Sequence, residues 1–167
     1  MLRTATRMAL LSKIVYSDYD SINSKLLKLG IKDWYWFDND GTQAILIKTD
    51  KELIICFRGT EPTEMTDVLS DLKAWPKRSQ EKGLVHFGFA QALDKVYDKI
   101  NEQIQRLDMS KIEKTICTGH SLGAALATLM ASRIDAEELY TFGSPRVGTR
   151  SFVKEMNSDL IKHYRFV

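Results

Sequence analysis

From Phe89 to Val167 the chain alternates between two hydrophobic periodicities, and few folds can satisfy that alternation. Phe89, Leu93, Val96, Tyr97, Ile100, Ile104 and Leu107 recur at helical spacing, and TICT at 115–118 then reads as a short buried strand. Leu122 to Ile134 reads as a helix, LYTF at 139–142 as a strand, Phe152 to Ile161 as a further helix, and HYRFV at 163–167 as a strand. Strands joined by helices must run parallel, with the helices packed on the sheet faces. The predicted class is therefore α/β, with a mostly parallel sheet flanked by helices.

The first half has a different pattern. The first thirty residues look helical, with Met8, Leu11 and Val15 on one face and Leu26, Leu27 and Leu29 later, closed by Gly30. WYWF at 34–37, AILI at 44–47 and ELIICF at 52–57 read as strands. Asp40-Gly41 is a hairpin signal and KTDK a second turn, which makes these strands an antiparallel meander. The acids of DNDG lack the further ligands a calcium loop requires. Met65, Val68, Leu69, Leu72 and Trp75 predict one more helix, stopped by Pro76.

Chemistry concentrates at residues 117–126, CTGHSLGAAL, where a strand passes into an alanine-rich helix through Gly119-His120-Ser121-Leu122-Gly123. A lone Gly-x-Ser-x-Gly is weak evidence, but one that joins strand to helix describes a nucleophile elbow. The sharp turn projects the Ser121 hydroxyl from the sheet edge. Glycines at 119 and 123 let strand and helix cross closely, and Ala124, Ala125 and Ala127 keep that approach tight. The helix start supplies backbone N–H groups to a developing oxyanion, the first of them on Leu122. A second donor is expected from a loop at the end of a neighbouring strand, and CFRGTEP at 56–62 is placed to provide it through Thr60, although RGT alone is an ordinary turn.

Composition sets the remaining bounds. A chain of 167 residues suits one domain, residues 1–167, able to remove roughly 70% of its unfolded surface from water. A net charge of +2, with acids and lysines interspersed, gives no electrostatic case for a nucleic-acid partner. The run Met8–Leu11 behind Arg3 and Arg7 is shorter than a signal-peptide core of about 7–15 residues, and no stretch approaches the ~18–20 apolar residues of an integral membrane segment. A cytoplasmic location is expected. Cys56 and Cys117 sit in apolar runs and read as buried free thiols. No metal or nucleotide spacing is present, so no cofactor is implied.

Taken together, FRGTE at 57–61, DVLSDL at 67–72, VHFGFAQAL at 85–93, GHSLGAALATL at 119–129 and YTFGSPRVG at 140–148 resemble the class 3 lipases, fungal-lipase-like serine esterases of the α/β-hydrolase superfamily. The motifs come in the family's order and at about its spacing. The resemblance implies Ser121 as nucleophile, Thr60 and Leu122 as the oxyanion hole, and an ester or lipid substrate, with long acyl chains resting on the resemblance alone.

A serine hydroxyl needs a base, and the base an orienting acid. His120 adjoins the serine on the turn and reads as a packing residue, His86 matches a non-catalytic position of the family, and His163 opens the last strand. Asp135 lies between a helix and a strand, and Asp159 lies within a helical stretch. In this superfamily the chain order is nucleophile, acid, histidine, so both partners are expected beyond residue 167, in a C-terminal part that this incomplete domain lacks or in a second polypeptide segment. The alternative is a catalytically inactive lipase-like homologue that binds an acyl or lipid ligand.

Overall fold

The structure, a computed structural model, describes residues 2–59, 76–78, 83–158 and 161–167. The helix expected over Met65–Trp75 and the residues Thr60 and Asp159 lie outside the described residues.

Two helices open the chain, α1 (Leu2–Ile14) and α2 (Tyr19–Lys28). The continuous helical pattern is broken at Asp18, whose carboxylate accepts the Ser21 N–H at 2.9 Å and caps a new helix. Met8, Leu11, Val15 and Leu26 are buried as the spacing predicts, whereas Leu27 and Leu29 face solvent because the second helix restarts the phase. A meander follows: β1 (Trp34–Asn39), β2 (Thr42–Lys48) and β3 (Glu52–Phe57), antiparallel in sequence. Asp40 and Gly41 make its first turn with φ of 47° and 79°, the doubly left-handed conformation of a tight hairpin.

A small antiparallel pair, β4 (Pro76–Arg78) and β5 (Leu84–His86), was not foreseen; strands of three residues leave no period to read. Then come α3 (Phe87–Arg106), β6 (Lys114–His120), α4 (Leu122–Arg133), β7 (Glu138–Phe142), α5 (Arg150–Ser158) and β8 (Lys162–Phe166). The last helix begins two residues earlier than its apolar pattern, and Ile161 is outside it. The main sheet has the order β1-β2-β3-β6-β7-β8, antiparallel through β3 and parallel from β3 to β8.

The alternation within each strand sorts the core into two layers. Leu53, Ile55, Phe57, Cys117 and Leu139 join α3, α4 and α5 on one face. Ile54, Cys56, Ile116 and Tyr140 face α1 and α2 on the other. Residues Gly123 to Ser132 of α4 are buried without interruption, which its run of alanines permits and a bulkier sequence would prevent. Thr128 meets that burial by donating its hydroxyl to the Ala124 carbonyl at 2.8 Å. At the amino ends of the strands Lys114 lies 3.4 Å from Glu52 and 3.2 Å from Glu138, and Arg7 pairs with Glu52, tying α1 to the sheet rim.

Cys56 and Cys117 are both buried and on opposite faces of the sheet, so they remain free thiols. Burial pushes the Cys56 thiol up to about 12, and the Cys117 thiol rises for the same reason. Both should resist a thiol-specific chromogenic reagent at pH 8 in the native protein and react fully once denaturant unfolds it. Leu11, fully buried between α1 and the sheet, should cost about 2–5 kcal/mol when changed to Ala, read as a lowered denaturation midpoint.

Candidate active site

The parallel strands end at one level. Pairing sets Phe57 beside Gly119, His120 beside Phe142, and Phe142 beside Phe166. Everything that follows these residues is gathered at the carboxyl edge of the sheet, where open α/β folds bind their ligands.

Ser121 stands at that edge between β6 and α4, with φ 56° and ψ −125°. This pair belongs to the first central position of a type II′ turn, which normally takes glycine. A non-glycine side chain is strained there by about 1–3 kcal/mol, so the surroundings must enforce it. They do so through the backbone: the Ser121 N–H donates to the Phe142 carbonyl at 3.0 Å, and the Ser121 carbonyl accepts from the N–H groups of Ala124 at 3.0 Å and Ala125 at 3.4 Å. Leu122, as the first residue of α4, has an N–H with no acceptor inside the helix.

The two elbow glycines are required by space. A Cβ on Gly119 would collide with the backbone of Gly123 and lie 2.8 Å from the Ala124 nitrogen. A Cβ on Gly123 would strike the Phe57 carbonyl oxygen and lie 2.9 Å from the Arg58 carbonyl carbon. The helix start is thus pressed against the loop that leaves β3, the segment leading to Thr60. Gly59, the last residue described on that loop, is itself so close to the Tyr16 hydroxyl and the His120 carbonyl that no side chain would fit. Arg58 is held by two contacts to Gln43, its N–H to the backbone carbonyl at 3.0 Å and Nη1 to Oε1 at 2.9 Å.

The histidines occupy three separate places. His120 has Nδ1 2.9 Å from the Tyr16 hydroxyl, and the two rings are tilted with centroids 5.9 Å apart. His86 precedes α3 with its ring against Phe89, centroids 4.5 Å apart, and both its ring nitrogens are buried without a hydrogen-bond partner among the described residues. His163 on β8 has Nε2 2.8 Å from Thr141 Oγ1; desolvation, aided by the charge of Arg165, holds its imidazole below the usual range. Ser144 is a turn residue whose hydroxyl donates to the Pro145 carbonyl at 3.1 Å, and Asp135 is exposed in a left-handed turn after α4. A cavity of about 390 Å³ opens between α4, α5 and β8, lined by Thr128, Val147, Met156, His163 and Arg165 among others, and Ser121 does not border it.

Two parts of this arrangement carried no signal in the sequence. Phe142 lies within YTFGSPRVG, but its carbonyl as acceptor for Ser121 was not marked by that motif, and Tyr16 arrives from a turn far upstream.

A parallel sheet whose central strand turns through a strained serine into a buried helix defines the α/β-hydrolase class. Within it the chain belongs to the class 3 lipase family, whose pattern, Lipase (class 3), residues 54–167 match. It is 31% identical over 180 residues to the toxin TseL of Vibrio cholerae, covering 80% of this chain and 27% of that protein. It is 26% identical over 164 residues to a secreted mono- and diacylglycerol lipase, LIP1, of Malassezia globosa, covering 87% of this chain and 54% of the relative. The chain therefore spans between about a quarter and about half of the length of these relatives. Among solved structures, lipase II from Rhizopus niveus superposes with a TM-score of 0.79 at 22% identity, over 98% of this chain and 69% of that one, which establishes a shared fold.

The strain at residue 121 can be measured without any substrate. Ser121→Gly should relieve it and exceed Ser121→Ala in stability by about 1 kcal/mol, after the entropy cost of glycine is deducted. Differential scanning calorimetry should show the glycine variant melting a few degrees higher. Gly123→Ala should instead lose about 1–3 kcal/mol, because the obstruction is backbone and cannot swing away.

Proposed function

We propose that the protein hydrolyses carboxylic esters of lipid type, with Ser121 as nucleophile. The observation that carries this reading is the conformation of Ser121, a strained, non-glycine residue between a parallel strand and a helix N-terminus in a chain of the class 3 lipase family. A module that only bound acyl chains would gain nothing from strain at that position.

In the proposed step the Ser121 oxygen attacks the ester carbonyl carbon, and its proton passes to a histidine base. The carbonyl oxygen becomes an oxyanion, received by the Leu122 N–H at the head of α4 and by Thr60 on the loop that follows Gly59. Collapse of the tetrahedral intermediate expels the alcohol, which takes the proton, and water then releases the acid by the same route. The base and its orienting acid are proposed to come from residues after Val167. Support for that comes from the placement of His120 against Tyr16 and of His163 against Thr141.

The acyl substrates named for relatives, mono- and diacylglycerols, make glycerides the first class to try. The test is turnover of p-nitrophenyl butyrate and emulsified diacylglycerol by the full-length protein. Ser121→Ala should lower kcat by about 10⁴- to 10⁶-fold, as loss of a triad nucleophile does. Residues 1–167 alone should show a comparable deficit. Equal turnover by the full-length protein and its Ser121→Ala variant would refute the assignment.

A further inference from the structure

Tyr16 touches both segments that lead into the proposed oxyanion site, although it belongs to neither. It follows α1, which packs on the opposite face of the sheet from α4. Its hydroxyl lies 2.9 Å from Nδ1 of His120, the residue immediately before Ser121. The same hydroxyl fills the space where a side chain at position 59 would stand, against the loop that leads to Thr60. Its ring lies beneath the Arg58 guanidinium, whose Cζ is 5.7 Å from the ring centroid, within cation–π range. One side chain therefore contacts residue 120 on the elbow and residues 58 and 59 on the facing loop.

We infer that Tyr16 is a positioning residue, which sets the distance between the nucleophile elbow and the loop after β3 by bonding to His120 and bracing Arg58 and Gly59. This rests on the ester-hydrolase reading for its consequence in catalysis, and on the geometry alone for its effect on the loop. An oxyanion hole made of two segments works only if their N–H groups converge on one oxygen. A misplacement near 1 Å costs up to about a hundredfold in rate. The β-sheet fixes the elbow through Phe142 and through the β3–β6 pairing that ends at Phe57 and Gly119, and Gln43 fixes Arg58. Past that last pair, backbone packing and the Tyr16 side chain are described across the gap. The hydroxyl is the one polar link among these that can be removed without changing the shape of the ring.

The experiment compares Tyr16→Phe, His120→Phe, His120→Asn and the double Phe variant in the full-length protein. Turnover of p-nitrophenyl butyrate is normalised to sites titrated with a fluorophosphonate, and amide hydrogen exchange at Arg58 is measured in parallel. Tyr16→Phe should lower kcat by about tenfold to a hundredfold with KM within about twofold, and should speed exchange of the Arg58 amide by about tenfold while the β2 and β6 core amides are unchanged. His120→Phe should match it, and the double variant should be no worse than either single, since both remove one link. His120→Asn, which returns a polar group near the place of Nδ1, should recover most of the rate. A Tyr16→Phe kcat within twofold of wild type, or Arg58 exchange unaltered by it, overturns the inference, as does a loss explained wholly by fewer titratable sites. If wild type and Ser121→Ala prove equally inactive, the hydrolase reading has failed, and Arg58 exchange alone then decides whether Tyr16 braces the loop.

Discussion

A gap too narrow for one methyl group, between the start of α4 and the carbonyl of Phe57, fixes the geometry on which the rest of the molecule depends. Close packing of this kind resists small displacement in a way that a flexible contact cannot, because relief would require two backbone segments to move together. Gly123 presses on the loop after β3, Gly119 presses on Gly123, and Gly59 presses on His120. The three contacts lock the turn that carries Ser121 against the end of β3 and the loop after it. The backbone of Ser121 can then be held in a conformation that would relax if these contacts were looser.

The wider fold serves this interlock. Parallel pairing from β3 to β8 brings the ends of the strands to one level, and a helix buried along almost its whole length can approach the sheet only if its residues are small. The ion cluster of Arg7, Glu52, Lys114 and Glu138 lies at the amino ends of the strands, away from the elbow. Charge there anchors α1, while at the carboxyl edge backbone hydrogen bonds and close packing are joined by the Arg58–Gln43 and Tyr16–His120 side-chain contacts.

Much of this was legible before any coordinates. The alternation after Phe89 gave the parallel half, Asp40-Gly41 gave the hairpin, and Gly119, Ser121 and Gly123 marked the crossing, because each signal is local and acts within a few residues. The break at Asp18 was hidden because Met8, Leu11 and Leu26 continue an apolar pattern across it, while the cap that restarts the helix depends on one carboxylate. The short strands β4 and β5 have no period to betray them. Tyr16 and the Phe142 carbonyl were invisible for a deeper reason: their partners are set by topology, and no spacing rule relates a residue after α1 to a turn after β6. The class 3 lipase pattern carried the reading of Thr60 further than its own residues could.

The bond from Ser121 to Phe142 also has a consequence for synthesis. The acceptor belongs to β7, the next strand in the chain, so the turn cannot lock while that segment is still inside the ribosome. A nascent chain would pass through a stage with β6 and α4 extruded but Ser121 not yet held in its left-handed conformation. The conformation at that position would then be set only when the neighbouring strand docks, so the order of synthesis decides when the turn closes.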